Sequence, residues 1–384
     1  MSEPIRVVVI DDSALGRQTI TQMLESDPEI HVVGRAPDGD EGLRQVFQHH
    51  PDLVTVDLEM PRMDGFTFLR ILMGRHPTPA LVISSYAARE NVFRALELGA
   101  LDFIAKPGPK LTPDLRAIRD QLLVKVKLVR QLRRANLNAR AQAAAQRVTP
   151  VHGAVAVRPA GATGVPGASA YAATVPPAAA PLRVIAIGAS TGGPPALQQL
   201  LQGLEPSLPA AIVITQHMPA KFTHAFAERL ARATAFAVKE AEEGDVLRPG
   251  LVLVAPGAGS LSLSRQGARL LAHVETAGSQ AQTQTQAQTQ AQERFVPSID
   301  RMLTSVAEVC GPNALAVVLT GMGGDASRGV RAIKAARGQV IVEGPESAVI
   351  FGMPQEAIQT GAVDEVLPLP RIVDAITRFA HRPR

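Results

Sequence analysis

Short apolar runs, each closed by a polar residue, set the rhythm of the first 106 positions. Ile5 to Ile10 leads into Asp11 and Asp12, Leu53 to Val56 into Asp57, Ala80 to Ile83 into Ser84, and Phe103 to Ala105 into Lys106. Such runs read as the buried strands of a parallel α/β sheet. In an open sheet of that kind the carboxyl ends of the strands converge on one side, so these polar side chains are expected in one pocket. For any one of them a strand-end cap is an adequate account. The full set in this order is not explained that way.

The residue types suit a phosphorylation switch. Three crowded carboxylates repel one another unless a hard cation sits between them, and Mg2+ takes a few carboxylate oxygens together with water and phosphate oxygens. Asp57 is then placed to accept a phosphoryl group, Lys106 to pair with its charge and the Ser84 hydroxyl to donate to it. On Asp11, Asp12, Asp57 within D-L-E-M-P-R-M-D-G, Ser84 and the Lys106-Pro107 pair, residues 5 to 107 resemble a response-regulator receiver domain. The resemblance implies a flavodoxin-like fold, phosphorylation at Asp57, and Mg2+ held by Asp11, Asp12, Asp57 and the backbone carbonyl of Glu59. Phe103 falls at the family's aromatic switch position, where an ordinary core residue fits equally well.

After the receiver the pattern changes. From 136 to 181 the chain is rich in Ala, Pro, Gly and Val without sustained periodicity, the composition of a flexible linker. Apolar strand-like and helix-like segments then alternate from Arg183 to Leu367, which predicts a second doubly wound α/β sheet. The division is therefore 1–135, a linker at 136–181, and a second domain at 182–384. The Gln/Thr stretch at 279–292 interrupts that domain as a low-complexity surface loop.

Composition narrows the classes. With 384 residues, 46% of them hydrophobic, the chain has material for two ordinary cores. The single cysteine, Cys310, rules out an internal disulfide and reads as a buried hydrophobe in a reducing, cytoplasmic setting. No signal peptide or bilayer-length apolar run is evident. The net charge of +4 is uneven: Lys110 to Arg147 holds ten basic and two acidic residues, leaving −4 elsewhere. Leu115, Ile118, Leu122, Val126, Val129 and Leu132 give that segment an apolar helical face opposite a basic one, read as solvated. No nucleic-acid module or membrane insertion is expected.

The strand Val184 to Ile187 runs into Gly188-Ala189-Ser190-Thr191-Gly192-Gly193. This G-x-S-x-G spacing permits a sharp strand-to-helix turn that exposes a serine hydroxyl near a helix N-terminus. A phosphate-binding glycine turn is the rival, although neither G-x-G-x-x-G nor a P-loop lysine is present. A nucleophilic serine needs a base and the base an orienting carboxylate. Gln216-His217-Met218-Pro219 and Gly321-Met322-Gly323-Gly324-Asp325 also follow apolar strands, whereas His49, His50, His76, His152, His224, His273 and His381 read as surface residues.

Together G-A-S-T-G-G, Q-H-M-P and L-T-G-M-G-G-D resemble the catalytic domain of the chemotaxis protein-glutamate methylesterases, a family in which a receiver precedes this Rossmann-like domain. The resemblance implies Ser190 as nucleophile, His217 as base and acid, Asp325 as orienting carboxylate, and the backbone N–H groups near Thr191 and Met322 as oxyanion donors. It implies hydrolysis of glutamate methyl esters on chemoreceptor helices, deamidation of receptor glutamines, a histidine kinase as phosphodonor, and no metal at the esterase site. Ala326 stands where the family has glycine, and ordinary backbone angles with a shifted loop are expected there. A transcription factor would need a helix-turn-helix, which is not found. An idle adaptor would not need the three polar residues.

Overall fold

Val7, Val8, Val9 and Ile10 of strand β1 (Ile5–Ile10) are all buried, so both faces of this strand lie under cover. Helices on both sides of a parallel sheet produce that burial and explain why the strands read as continuous apolar runs. The computed structural model describes residues 3–84, 89–106, 115–132, 181–276 and 296–383. The linker, apart from Pro181, and the Gln/Thr stretch at 279–292 lie outside the described residues, as do Pro107 and His152.

The first sheet has the order β2-β1-β3-β4-β5, all parallel, with β2 at Ile30–Ala36, β3 at Leu53–Val56, β4 at Ala80–Ser84 and β5 at Asp102–Ala105. Five helices flank it: α1 (Ala14–Glu25), α2 (Gly39–His49), α3 (Gly65–Arg75), α4 (Arg89–Glu97) and α5 (Leu115–Lys127). Ser13, Asp38 and Asp64 cap the first three by accepting a hydrogen bond from the N–H three residues on. Chain direction across the sheet reverses between β1 and β3, which opens a crevice beyond their carboxyl ends.

The second sheet is parallel with seven strands, in the order β14-β13-β12-β6-β7-β9-β8. Its strands are β6 (Arg183–Ala189), β7 (Ala210–Gln216), β8 (Ala237–Glu240), β9 (Leu251–Val254), β12 (Ala314–Val318), β13 (Gln339–Glu343) and β14 (Glu365–Leu367). The helices are α6 (Gly193–Gly203), α7 (Ala220–Ala233), α8 (Ile299–Cys310), α9 (Ser327–Ala335), α10 (Gly352–Gln359) and α11 (Leu369–His381). Here the reversal falls between β6 and β12. An antiparallel hairpin of β10 (Gly259–Gln266) and β11 (Arg269–Thr276) adds a feature that the parallel reading had not anticipated. Leu261, Leu263, Leu270 and Ala272 point its apolar face into the core that includes α8.

The two sheets share one apolar cluster, in which Val92, Phe93 and Phe103 pack together with Phe222 and Phe226. Phe93 stacks on Phe226 with centroids 5.6 Å apart, and Phe103 lies 4.7 Å from Phe222. Phe103 is thus buried at the boundary between the two sheets rather than within its own sheet alone. A second seam joins Leu101, Leu128 and Leu132 to Met322, Val349 and Ile350. Arg229 pairs with Glu97 across the same boundary.

The basic helix departs at Lys125 from the solvated face expected of it, while Arg119 remains partly exposed and Arg130 exposed. Lys125 bonds to Asp102 at 2.6 Å and donates to the Phe103 carbonyl at 2.9 Å, while Lys127 pairs with Asp27 at 2.7 Å and Glu29 at 3.0 Å. Lys125 is thus drawn against its own domain, whereas Lys127 pairs at the surface. The helical segment also breaks at Lys127, and Leu128 to Gln131 continue as a 3-10 turn.

Candidate functional site: two pockets at strand carboxyl ends

In the first pocket, Asp11 follows β1 and Asp57 follows β3. Lys106, after β5, reaches both with 2.6 Å bonds from Nζ. Asp11, Asp12 and Asp57 each offer an oxygen within 4.8 Å of the others. Burial pushes the Asp57 carboxyl up despite the Lys106 hydrogen bond, and the Asp11 charge adds to the push. Lys106 is partly buried, which alone would lower it, yet bonds to the two carboxylates raise it above its usual range. A second cation would relieve this crowding. The Ser84 hydroxyl, 1% exposed, has no partner among the described residues. The Glu59 N–H donates to Asp57 at 3.4 Å. The structure thus brings Asp11, Asp12, Asp57 and Lys106 together, while Phe103 turns toward the other sheet.

The second pocket draws on three adjacent strands, β12, β6 and β7. Ser190 follows β6, and its N–H is tied to the Thr320 carbonyl at 3.0 Å. Gly192 then turns the chain with φ of 80°, a left-handed angle that glycine adopts at little cost, and α6 begins. Gly321 must also lack a side chain, because a Cβ there would lie 2.6 Å from that of Ser190. This close approach sets the backbone at Gly321 and Met322 beside Ser190. Among the described residues, neither the Thr191 nor the Met322 N–H meets a protein acceptor.

His217 presents Nδ1 to Ser190 Oγ at 3.2 Å and Nε2 to Asp325 Oδ2 at 2.8 Å. With Nε2–H donated to the carboxylate, the Nδ1 lone pair faces the serine hydroxyl, as a general base requires. The ring nitrogens hold the reverse of the places they take in the familiar Ser-His-Asp arrangement, with the same division of labour. Asp325 also accepts from the N–H groups of Ile299 at 2.8 Å and Asp300 at 2.9 Å, at the start of α8. Burial would raise its carboxyl, but the bond and charge of His217 and these N–H groups outweigh it and hold it low. Ser298, Ile299 and Asp300 were missed in the sequence, although a serine ahead of an amphipathic stretch marks a helix start.

The loop does not relax at Ala326. Its φ of 155° and ψ of −16° lie outside ordinary alanine space, so the residue carries the strain and Asp325 stays in place. The expectation of ordinary angles there was wrong, because the Asp325 bonds to α8 and His217 outweigh the backbone preference of one residue. Cys310 is buried, which pushes its thiol up to about 12, in keeping with an inert core role.

The receiver reaches this second pocket directly. Thr191 Oγ1, next to Ser190, donates to Asp102 Oδ2 of β5 at 2.6 Å. Beneath the turn, the Thr320 hydroxyl donates to the Thr191 carbonyl at 2.9 Å. The Thr320 N–H bonds to Glu343 at 2.8 Å.

Comparison with known proteins decides the family. Residues 185–376 match the family model for CheB methylesterase, and residues 7–114 match that for the response regulator receiver domain. The chain belongs to the CheB methylesterase family. It is 49% identical to protein-glutamate methylesterase/protein-glutamine glutaminase 3 of Geobacter sulfurreducens, over 96% of this chain and 95% of that one. It is 45% identical to protein-glutamate methylesterase/protein-glutamine glutaminase 1 of Myxococcus xanthus, over 99% and 98%. A crystal structure of the Thermotoga maritima CheB methylesterase catalytic domain aligns at 35% identity with a TM-score of 0.47, covering 52% of this chain and 99% of that one. In this chain the methylesterase domain follows a receiver domain. Among the described residues, no helix is long and apolar enough to cross a membrane.

Proposed function

We propose that this chain is a phosphorylation-controlled serine esterase that hydrolyses γ-glutamyl methyl esters on the cytoplasmic helices of chemoreceptors and deamidates receptor glutamines. The observation that carries the reading is the Ser190–His217–Asp325 relay, with distances of 3.2 and 2.8 Å, set at the strand ends beside unengaged backbone donors.

His217 Nδ1 takes the Ser190 proton as Oγ bonds to the ester carbonyl carbon, and the Thr191 and Met322 N–H groups receive the oxyanion. Collapse breaks the bond to the methoxy oxygen, which leaves as methanol with the proton from His217. Water then attacks the acyl-serine and yields a proton to Nδ1. The second collapse breaks the bond to Oγ, which takes the proton back from His217, and frees the glutamic acid side chain, which loses its own proton to solvent. With a glutamine substrate, ammonia leaves in the first half. Asp325 holds the ring and stabilises its charged form.

In the receiver, Asp57 accepts the phosphoryl group of a histidine kinase, Lys106 pairs with it and Ser84 donates to it. Asp11, Asp12 and Asp57, with the Glu59 carbonyl, are the proposed ligands of Mg2+, whose charge when bound offsets that of the carboxylates and the phosphoryl group. The unphosphorylated receiver covers the Ser190 side of the second sheet, and phosphorylation loosens that contact. The bond from Thr191 to Asp102 and the two aromatic pairs support this reading. The setting is the cytoplasm.

Methanol release from a methylated receptor tests the proposal. Wild type releases methanol, and Ser190→Ala loses activity by about 10⁶-fold. Removal of residues 1–135 raises the basal rate, and Asp57→Ala abolishes the response to a phosphodonor. Methanol release that ignores Ser190 would point instead to an adaptor.

A further inference from the structure

Gln216 ends β7 immediately before His217, is 2% exposed, and takes no part in the chemistry just described. Its side-chain Nε2 donates to the Ser190 carbonyl at 2.9 Å and to the His217 carbonyl at 3.0 Å. Both amide hydrogens are thereby used, one on the nucleophile and one on its base. The amide cannot be turned over, since Oε1 would then face two carbonyl oxygens. Oε1 lies instead against Gly193, where a Cβ would come within 2.0 Å of it, and it has no partner among the described residues. A buried carbonyl left without a donor is unfavourable, and its retention calls for a compensating role.

The Ser190 carbonyl belongs to the same peptide unit as the Thr191 N–H. In a planar trans peptide these two groups point in opposite directions, so whatever fixes the one aims the other. The Ser190 carbonyl accepts from Gln216 and from the Gly193 N–H at 2.8 Å. Loss of the Gln216 bond leaves Gly193 as its remaining hold among the described residues. Through the His217 carbonyl the same side chain also fixes where the loop bearing the base leaves the strand.

We propose that Gln216 is a positioning residue for ester hydrolysis, which locks the Ser190–Thr191 peptide so that the Thr191 N–H faces the developing oxyanion and holds the His217 backbone in register with it. This rests on the Ser190–His217–Asp325 reading above. Gly193 is the complementary half of the device, because a side chain there would collide with the Gln216 carbonyl.

The test uses the purified full chain with 4-nitrophenyl acetate as substrate and a fluorophosphonate as covalent probe of Ser190. Gln216→Leu removes the donors at similar size, Gln216→Asn is too short to span both carbonyls, and Gln216→Glu replaces the donors with a carboxylate. For Gln216→Leu and Gln216→Asn, kcat and the labelling rate should fall roughly 30- to 100-fold, the scale of a weakened oxyanion donor, with KM within about twofold. Gln216→Glu, measured relative to wild type, should recover as pH falls and its carboxyl regains a proton to donate. Labelling at the wild-type rate in folded variants overturns the proposal. So do losses that merely follow the folded fraction in thermal melts, or a Gln216→Glu ratio that is flat with pH. Ser190→Ala separates the two readings: labelling that persists in it sinks the catalytic assignment itself.

Discussion

At the receiver pocket three carboxylates face one another around one lysine, while at the esterase pocket Asp325 sits among N–H groups, a helix start and an imidazole. Both pockets lie beyond the strand ends where a parallel sheet reverses direction. Their electrostatics run in opposite senses. Burial raises the Asp57 carboxyl because its compensation is incomplete, whereas Asp325, also buried, is held low by donors already in place. The proposed phosphorylation site would have to await a cation and a phosphoryl group, and the buried Ser84 hydroxyl beside it has no partner among the described residues. An esterase gains from fixed dipoles that need no rearrangement as charge develops. The same fold position therefore yields a pocket that waits and a pocket that is ready.

The comparison breaks most sharply at Asp325. Asp325→Asn removes the charge that orients and stabilises the His217 ring, and because Ile299 and Asp300 donate to different carboxylate oxygens, its one oxygen cannot accept from both. A fall in kcat of about 10⁴-fold is expected, with a small change in KM. The charge also makes stability pH-dependent in a known direction. The folded protein holds this carboxyl below its ordinary value of 3.8, so its contribution is present above that pH and is lost as pH falls through the lower folded value. Acid unfolding of Asp325→Asn should therefore be shallower than that of wild type. A kcat within tenfold of wild type would show that the pocket does not depend on this preset charge.

The contrast between a waiting and a ready pocket was only partly legible in the sequence. Strand ends announced themselves, because runs such as Ile5 to Ile10 and Val184 to Ile187 are long, apolar and closed by residues with chemistry. The hairpin β10–β11 carried its own alternation in Leu261, Leu263, Leu270 and Ala272, yet Gly267 and the short span hid it among loops. Phe93 and Phe226 each look like core residues of their own amphipathic helices. Only the fold shows that they meet across the boundary. Lys125 read as a surface charge because its partner, Asp102, is 23 residues away in sequence. Gln216 stood in the Q-H-M-P motif, but its contacts were not legible for a related reason: the amide binds two carbonyls of a kind that every residue possesses, so only geometry distinguishes them.

Glu343 sharpens the comparison as a third buried carboxylate, one with neutral donors rather than a lysine or a histidine. The Thr320 N–H and the Ser347 hydroxyl bond to it at 2.8 and 2.9 Å, and burial pushes it up to about 7 despite them. The folded protein therefore holds this proton more tightly than the unfolded chain does. Its stabilising effect is complete below about 4.5 and is lost as pH rises through about 7. The loss amounts to about 3 kcal/mol. Glu343→Gln preserves an acceptor for the Thr320 N–H, and its amide can donate to the Ser347 oxygen. Urea unfolding should show the variant to be the more stable protein at pH 8 and to lack the wild-type decline between pH 4.5 and 7. An unchanged pH profile would mean that Glu343 is compensated as fully as Asp325.

The smallest effect concerns where each pocket stores its unfavourable energy. In the receiver it is charge crowding, which a cation relieves; in the esterase it is backbone, at Ala326, with φ of 155° beside the orienting carboxylate. An L-residue held at such angles is destabilised by about 1–3 kcal/mol. Glycine removes that strain but gains freedom in the unfolded chain, which takes back about 0.4–1 kcal/mol. Ala326→Gly should therefore stabilise the protein by about 1 kcal/mol, a rise of about 2–4 °C in Tm for a domain of this size. The side chain lost is one methyl group, 1% exposed, so part of the gain is offset by its packing. A glycine variant less stable than wild type would place the residue in an unstrained conformation. The loop would then be held by packing of that methyl group, and the esterase pocket would store no strain at this position.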